Sequence, residues 1–387
     1  MIMFWIHMRQ NPVAGTDFLS FFTGGRLAVS PELYSEAAMR RIQKDIGYSR
    51  DFFPYVRLPW CALALYPLTA LPFPLALTFW RALNLLAVAG FVLFWEPPRI
   101  RALLACAWSF PLLINLSLGQ DVPLLLFCLA LSLFLLRRSW PVAAGLVLAL
   151  LSAKFHLFLL LPLLLARRRL FKVFLGLAAG GLALAAMSFM AAGPDWPVKY
   201  AHLILSDMVN PRPWDMYNLR ALFAHLPGAL YLELGTAVIV VVLTWRCFRS
   251  RDLGYSAAAA LIGGLLCGHH SYLGDTALLI PAGLLVRPRA RHWGHRVMAI
   301  LLLLPVLYLL PSPNHLAVPL LVIGLLVAMS LRSWPPHAPD GTVTPSLPSL
   351  PASSSRVPLN DYGQSQPHRR LRLHRTRGCL LHSAVHS

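Results

Sequence analysis

Residues 141–169 read PVAAGLVLALLSAKFHLFLLLPLLLARRR, an apolar run interrupted at Lys154 and His156 and closed by Arg167, Arg168 and Arg169. As one helix, the 26 residues from Pro141 to Ala166 would reach about 39 Å and cross a bilayer core of about 30 Å. That crossing would place Arg138 and Arg167 on opposite sides. As two short helices, 141–152 and 154–166, each segment is roughly 18–20 Å long. Lys154 then lies near the apex, and both arginine clusters stay on one side. Non-helical backbone at such depth survives only against protein or in a wet cavity.

The charges on either side favour the second arrangement. Apolar runs recur at 74–95, 102–117, 121–136, 141–152, 154–166, 170–191, 230–247, 255–268, 272–286, 297–311 and 316–331, which predicts about eleven transmembrane or membrane-embedded helices. Arg99/Arg101, Arg137/Arg138, Arg167–Arg169 with Lys172, Arg246/Arg249/Arg251, Arg287/Arg289/Arg291/Arg296 and Arg332 follow every odd-numbered run. The even breaks hold only Lys154, Lys199, Arg212 and Arg220. Short loops rich in Lys and Arg stay in the cytoplasm. Residues 1–57 and the even breaks, including the long loop 192–229, are therefore expected on the outward face. The hairpin 255–286 repeats the pattern, with His269, His270 and Asp275 at its tip.

Composition agrees with an all-α polytopic membrane protein. Of 387 residues, 57% are apolar and 13% charged, against roughly 25% charged in soluble domains. An ordinary cytoplasmic enzyme is excluded. The net charge of +19, from 34 Lys+Arg and 15 Asp+Glu, is not a nucleic-acid surface, because its largest share marks cytoplasmic breaks. Most acids lie outward, so chemistry is expected there. Met1–Met8 is too short to span. Six cysteines without paired spacing read as packing residues. The chain divides into 1–57, a multi-pass region 58–332, and a tail 333–387 that is Pro/Ser-rich and then basic. The tail is expected to be disordered and cytoplasmic.

The first outward segment carries Gly15-Thr16-Asp17-Phe18, then Gly24-Gly25-Arg26, then Pro31-Glu32-Leu33-Tyr34. A lone carboxylate on an aromatic-lined segment suits a general base for an acceptor hydroxyl; Thr16 or Asp17 equally suits a helix N-cap. Asp121 and Asp275 each read either as a cap or as a site residue, and His156 as an interior histidine or a ligand contact. Adjacent His269 and His270 point apart on a helix, and no ligand follows at i+4. That spacing is a poor zinc site, and the first loop has no Asp-x-Asp pair, so no cofactor is expected and a divalent metal is left open but not indicated.

Asp17 with its following aromatic, Gly24-Gly25-Arg26 and Tyr34 resemble the opening of glycosyltransferase family 87. The likeness continues in Arg57-Leu58-Pro59-Trp60, Tyr66-Pro67, Gly119-Gln120-Asp121, Arg137-Arg138 with Gly145, Ala153-Lys154, and Tyr217-Asn218-Leu219-Arg220, covering roughly residues 15–330. Members are multi-pass enzymes of the GT-C superfamily. The resemblance implies a hexose donor, mannose on polyprenyl phosphate, inverting transfer to a lipid or glycan acceptor, and a bacterial plasma membrane with its active face extracytoplasmic. It implies Asp17 as the catalytic base. Lys154, Arg220 and Arg26 become candidates for the donor phosphate, an intramembrane ammonium being costly without a partner. Tyr34, Gln120, Asp121, His156, Asn218, His269, His270, Tyr272 and Asp275 become candidates for substrate binding. Family members place a full helix before this aspartate, whereas sixteen residues precede it here; a truncated reading frame or an unanchored loop would explain that. A transporter or flippase of lipid-linked sugars, and an inactive structural relative, remain the alternative readings.

Overall fold

The computed structural model describes residues 16–48, 52–206, 209, 212–289, 293–310 and 314–332, all within one compact unit that ends at Pro336. Met1–Met8, Cys379 and the tail from 333 lie outside the described residues. Among the described residues every regular element is helical.

Four stretches are long and apolar enough to cross a bilayer: Phe73–Phe94, Phe171–Ala192, Ala229–Cys247 and Asn314–Leu331. Arg99–Ala107 and Phe110–Leu118 add a fifth if their 64° bend is counted within one span. The other expected spans are helical but short. Val122–Arg137 has 16 residues and Leu253–Cys267 has 15. The runs expected at 154–166, 272–286 and 297–311 break into helices and 3-10 turns. Among the described residues four or five helices are therefore long and apolar enough for a full crossing, so the expectation of about eleven transmembrane or embedded helices is met only in part. Proline is the recurring reason. Pro59, Pro74, Pro111, Pro123, Pro141, Pro162 and Pro197 all occupy first turns, where the missing N–H costs nothing. Each one opens a helix, and Pro162 does so inside an apolar run.

Lys154 marks an interruption of another kind. Pro141–Ala149 tightens into a 3-10 turn over Leu150–Leu157, and Lys154 itself leaves helical geometry (φ −130°, ψ 53°). Leu161–Arg167 follows as a separate helix. Two glycines show which way the chain runs. A Cβ on Gly145 would lie 2.0 Å from the Val173 carbonyl oxygen, and one on Gly176 would lie 2.1 Å from that of Val142. Further along, a Cβ on Gly180 would meet Ala149 at 2.7 Å. Sequence numbers rise together along both helices, so Pro141–Ala149 and Phe171–Ala192 pack in parallel with their backbones touching. This small-residue contact is the usual means of close helix association in lipid. The chain between them must return to the level from which Pro141 set out, which brings Arg138 and the Arg167–Arg169 cluster to one side.

Large apolar side chains such as Leu86, Leu182 and Met190 point outward from the long helices. On a chain of this composition they form a lipid-facing surface, and the protein is an integral membrane protein. The five cysteines that are described are all free, four of them buried.

Candidate functional site

Four separate segments meet around Lys154. The first is the helix Thr16–Arg26, with Asp17 in its first turn. The second is the turn after Phe110–Leu118. Gly119 ends that helix in the left-handed region (φ 76°), a conformation natural only to glycine. It also lies against Phe18: a Cβ there would stand 2.7 Å from the Phe18 Cβ. Trp80 Nε1 donates to the Gly119 carbonyl at 2.8 Å, fixing the turn that points Gln120 and Asp121 inward. The third is the interrupted 3-10 turn itself. The fourth is the loop 268–275 ahead of the Leu273–Leu278 turn.

The polar contacts form one connected chain. Gln120 Nε2 donates to Asp17 Oδ2 at 2.8 Å, and Lys154 Nζ donates to Gln120 Oε1 at 2.9 Å. Lys154 Nζ also donates to Asp275 Oδ1 at 2.5 Å and stands 3.5 Å from Asp121 Oδ1. Arg57 closes the far end, with Nε to Asp121 Oδ2 at 2.8 Å and a terminal nitrogen to Oδ1 at 3.1 Å. Lys154 and Arg57 are 3% and 5% exposed, so these are interior ion pairs. Three carboxylates face two cations. Asp17, half-buried, is the carboxylate without a direct cationic contact, and among the described residues its Oδ1 carries no hydrogen bond.

The two outer carboxylates respond to this in opposite ways. Burial pushes the Asp17 carboxyl above the ordinary carboxylate value, only partly offset by the Gln120 bond and the nearby Lys154 and Arg57 charges. Burial acts in the same sense on Asp121, but there Arg57 and Lys154 outweigh it and hold the carboxyl well below the usual range. One acid is locked as an anion, and the other is poised to exchange a proton.

The remaining candidates divide by distance from this core. Asp275 bears out its cap reading, its Oδ2 accepting from the Tyr272 backbone N–H at 3.0 Å, while its Oδ1 takes Lys154. Asp121 makes no side-chain cap; the cap reading gives way to the Arg57 pair. Asn218 caps Leu219–Phe223, and its Nδ2 donates to the Gly268 carbonyl at 2.5 Å. It is buried and so supports the loop. Arg220, half-buried, bonds the exposed His269 ring, 3.0 Å from Nδ1; Glu233 lies 4.0 Å from the same nitrogen. The His156 and His270 rings sit 6.2 Å apart, and Tyr272 packs 4.8 Å from His270. His156 Nε2 is buried without a partner. Tyr34 donates its hydroxyl to the Arg57 carbonyl at 2.8 Å and packs on Tyr55 and Tyr200. Arg26 is not brought to Asp17. It sits at the opposite end of the helix, roughly 13 Å along the axis, exposed and over the Phe22 ring.

Lys154 differs most from expectation. An ammonium has three donors; two are bonded to Asp275 and Gln120, and Asp121 stands in ion-pair range of the third. A phosphate would have to displace a carboxylate to reach it. Arg57 was overlooked as a site residue. Its signal was a lone cation directly before the apolar run that opens at Leu58. Asn115 was overlooked too: Nδ2 donates to the Gly274 carbonyl at 2.8 Å, and Oδ1 is buried without a partner.

The sequence model of glycosyltransferase family 87 matches residues 58–268. The chain belongs to glycosyltransferase family 87. The match covers more than half of the chain and includes Gln120, Asp121, Lys154 and Arg220; Asp17 and Asp275 lie outside it, tied to it through Gln120 and Lys154. No curated protein and no solved structure matches the chain. Family membership makes this a membrane glycosyltransferase, and the buried charge cluster is the candidate active site of that family 87 chain.

Proposed function

We propose that this family 87 protein transfers a hexose, mannose by the family resemblance, from a polyprenyl-phosphate donor to an acceptor hydroxyl on the extracytoplasmic face. In this reading residues 1–57 and the loop 192–229 face outward and the tail faces the cytoplasm. Asp17 Oδ1 takes the proton of the acceptor hydroxyl as that oxygen attacks C1 of the donor sugar. The C1–O bond to phosphate breaks, polyprenyl phosphate leaves, and the anomeric configuration inverts. The observation that carries the proposal is Asp17 itself: a half-buried carboxylate with one oxygen bonded to Gln120 and the other without a hydrogen bond among the described residues. Its environment raises its proton affinity toward what a general base needs.

Arg220, half-buried and bonded to the exposed His269 ring beside the 268–275 loop, is the cation to which we assign the leaving phosphate. A guanidinium offers two parallel donors to phosphate oxygens. Lys154 then contributes positive charge and order from behind Gln120 and makes no contact with the phosphate. Closure around the acceptor would keep water from competing for the sugar.

The interrupted helices around Trp108–Ser109 and Lys154 also favour a second reading, movement of a lipid-linked sugar, since broken helices line many transport paths. One experiment separates the two. Membranes containing the full chain are given radiolabelled polyprenyl-phosphate mannose with octyl mannoside as acceptor. The enzyme reading expects a labelled disaccharide glycoside and released polyprenyl phosphate, both lost in Asp17→Asn. Label crossing sealed vesicles with no new glycosidic bond would replace it with the transport reading. Equal transfer by Asp17→Asn would remove the base.

A further inference from the structure

We infer that Gln120 and Lys154 form an orientation relay in which Lys154 dictates which end of the Gln120 amide faces Asp17; both are positioning residues, and neither contacts a substrate. The inference rests on the proposed role of Asp17 and adds what sets the state of that carboxylate.

The argument starts from donor and acceptor inventory. A carboxamide can turn over, exchanging its oxygen and its NH2, and the two ends are nearly equal in size. Hydroxyl, amide and imidazole side chains can meet either end. Lys154 cannot, because an ammonium only donates. With Lys154 Nζ 2.9 Å from one end of the amide, that end must be Oε1. The other end is then Nε2, and it lies 2.8 Å from Asp17 Oδ2. Asp17 is thus offered a donor and never an acceptor. A donor can be satisfied by an ionised oxygen but not by the protonated oxygen of a carboxylic acid pointing its own hydrogen at it. The relay therefore biases Asp17 toward the anion, the form able to take a proton.

Lys154 cannot drift from this duty. Asp275 holds it at 2.5 Å, Asp121 stands 3.5 Å away, and Arg57 secures Asp121 with two hydrogen bonds. The backbone at Lys154 is bent out of helical geometry to bring the ammonium there. Gln120 is aimed from the other direction by Gly119, whose carbonyl is pinned by Trp80. The charged groups facing Asp17 are Lys154 from the 3-10 turn, Arg57 from the segment before Pro59 and Asp121 from the same turn as Gln120. Lys154 and Arg57 favour the anion and Asp121 opposes it, and the largest of the influences that favour the anion is the Gln120 bond.

Substitutions at Gln120 test this without disturbing the ion pairs. Gln120→Leu removes the donor. Gln120→Glu keeps the shape and the bond from Lys154 but turns a carboxylate toward Asp17, where like charges oppose ionisation. The full chain is reconstituted in vesicles, and the protonated-carboxyl infrared band that disappears in Asp17→Asn is followed against pH. The relay expects the Asp17 midpoint to rise by about one unit in Gln120→Leu and by more in Gln120→Glu. Lys154→Arg, which still only donates, should leave the midpoint near that of the parent. An unchanged midpoint in both Gln120 variants would overturn the relay, whether or not the protein transfers sugar. Shifted midpoints in a parent protein that forms no glycosidic bond would instead leave the relay standing and remove the proposed function. In the transfer assay, the acid limb of kcat/KM should move with the midpoint while the donor KM stays within about twofold, a split that loss of folding does not produce.

Discussion

Arg57 and Asp121, 64 positions apart in the chain, meet through two hydrogen bonds of 2.8 and 3.1 Å in the protein interior. The fork of the guanidinium matches both carboxylate oxygens, and the Phe21 ring lies 5.2 Å from its central carbon. Neither residue is exposed enough for water to replace its partner.

Removing one member of that pair leaves an uncompensated interior charge. Arg57→Met is expected to cost about 3–5 kcal/mol, whereas Arg57→Met combined with Asp121→Leu should cost less than Arg57→Met alone. Arg57→Lys keeps the charge but loses the two-point geometry and should fall between parent and Arg57→Met. Denaturant unfolding of the purified proteins in one detergent gives the ordering. A double variant weaker than Arg57→Met would refute the pair as an interdependent unit.

Lys154 predicts an asymmetry. Asp275→Asn leaves the ammonium with Asp121 and Gln120, but Lys154→Met leaves Asp275 with no cation. Lys154→Met should therefore lower the thermal midpoint further than Asp275→Asn, and adding Asp275→Asn to Lys154→Met should restore part of the loss. Fluorescence-monitored melting of the three variants checks both statements.

Asp17→Asn should abolish most transfer, by about 10²–10⁴-fold, if Asp17 is the base. Its effect on stability has the opposite sign. Burial raises the carboxyl's proton affinity in the folded state, so its contribution is fully present below the unfolded value and is lost as pH rises through the folded value. At neutral pH the neutral amide of the variant avoids that loss. The variant should unfold no earlier than the parent at pH 7, and an earlier melt would show that the carboxylate is structural.

The same shift sets the direction of the pH profile. A base must be ionised, so transfer should fall as pH drops through the Asp17 value, starting above the ordinary carboxylate value of about 4. Asp121, held low by Arg57 and Lys154 once their charges outweigh burial, loses its contribution only at more acid pH. Activity should therefore disappear before the fold does as pH is lowered. Parallel rate and far-ultraviolet dichroism titrations test the order of the two losses.

Gly145 and Gly176 carry a packing prediction. Gly145→Val would drive its side chain into the Val173 carbonyl and force the parallel helices apart, at about 1–3 kcal/mol or more from overpacking. Gly235, where an added Cβ meets nothing within 4 Å, should tolerate alanine. Comparing the yield of monodisperse protein for Gly145→Val and Gly235→Ala separates a contact effect from a general glycine effect.

Much of the helical layout was legible in the sequence. The runs expected at 74–95, 170–191, 230–247 and 316–331 agree within two residues with Phe73–Phe94, Phe171–Ala192, Ala229–Cys247 and Ala317–Arg332. A long apolar run has one inexpensive fate in lipid, so hydropathy alone finds it. The runs expected at 121–136 and 255–268 also agree within two residues with Val122–Arg137 and Leu253–Cys267, whereas those at 154–166, 272–286 and 297–311 break into shorter helices and 3-10 turns at points that hydropathy does not mark. At the site, the sequence drew attention to Asp17, Gln120, Lys154 and Asp275 but could not join them. Their contacts bridge 103, 34 and 121 positions, and spacing along one helix carries no information over such separations. The partners of Lys154 are hidden from the sequence for the same reason. A lone ammonium in an apolar run looks available until its carboxylate partners, distant in sequence, are seen beside it.

Gly119 also bears on how this site could diversify. The gap between the Asp17 helix and the Gln120 turn is the thickness of a backbone with a hydrogen in place of a side chain, set against Phe18. The Gln120 and Asp17 side chains reach each other across this gap at 2.8 Å. A single methyl at position 119 would press on Phe18 and shift the helix and the turn apart at once, so any change at this site has to leave position 119 bare.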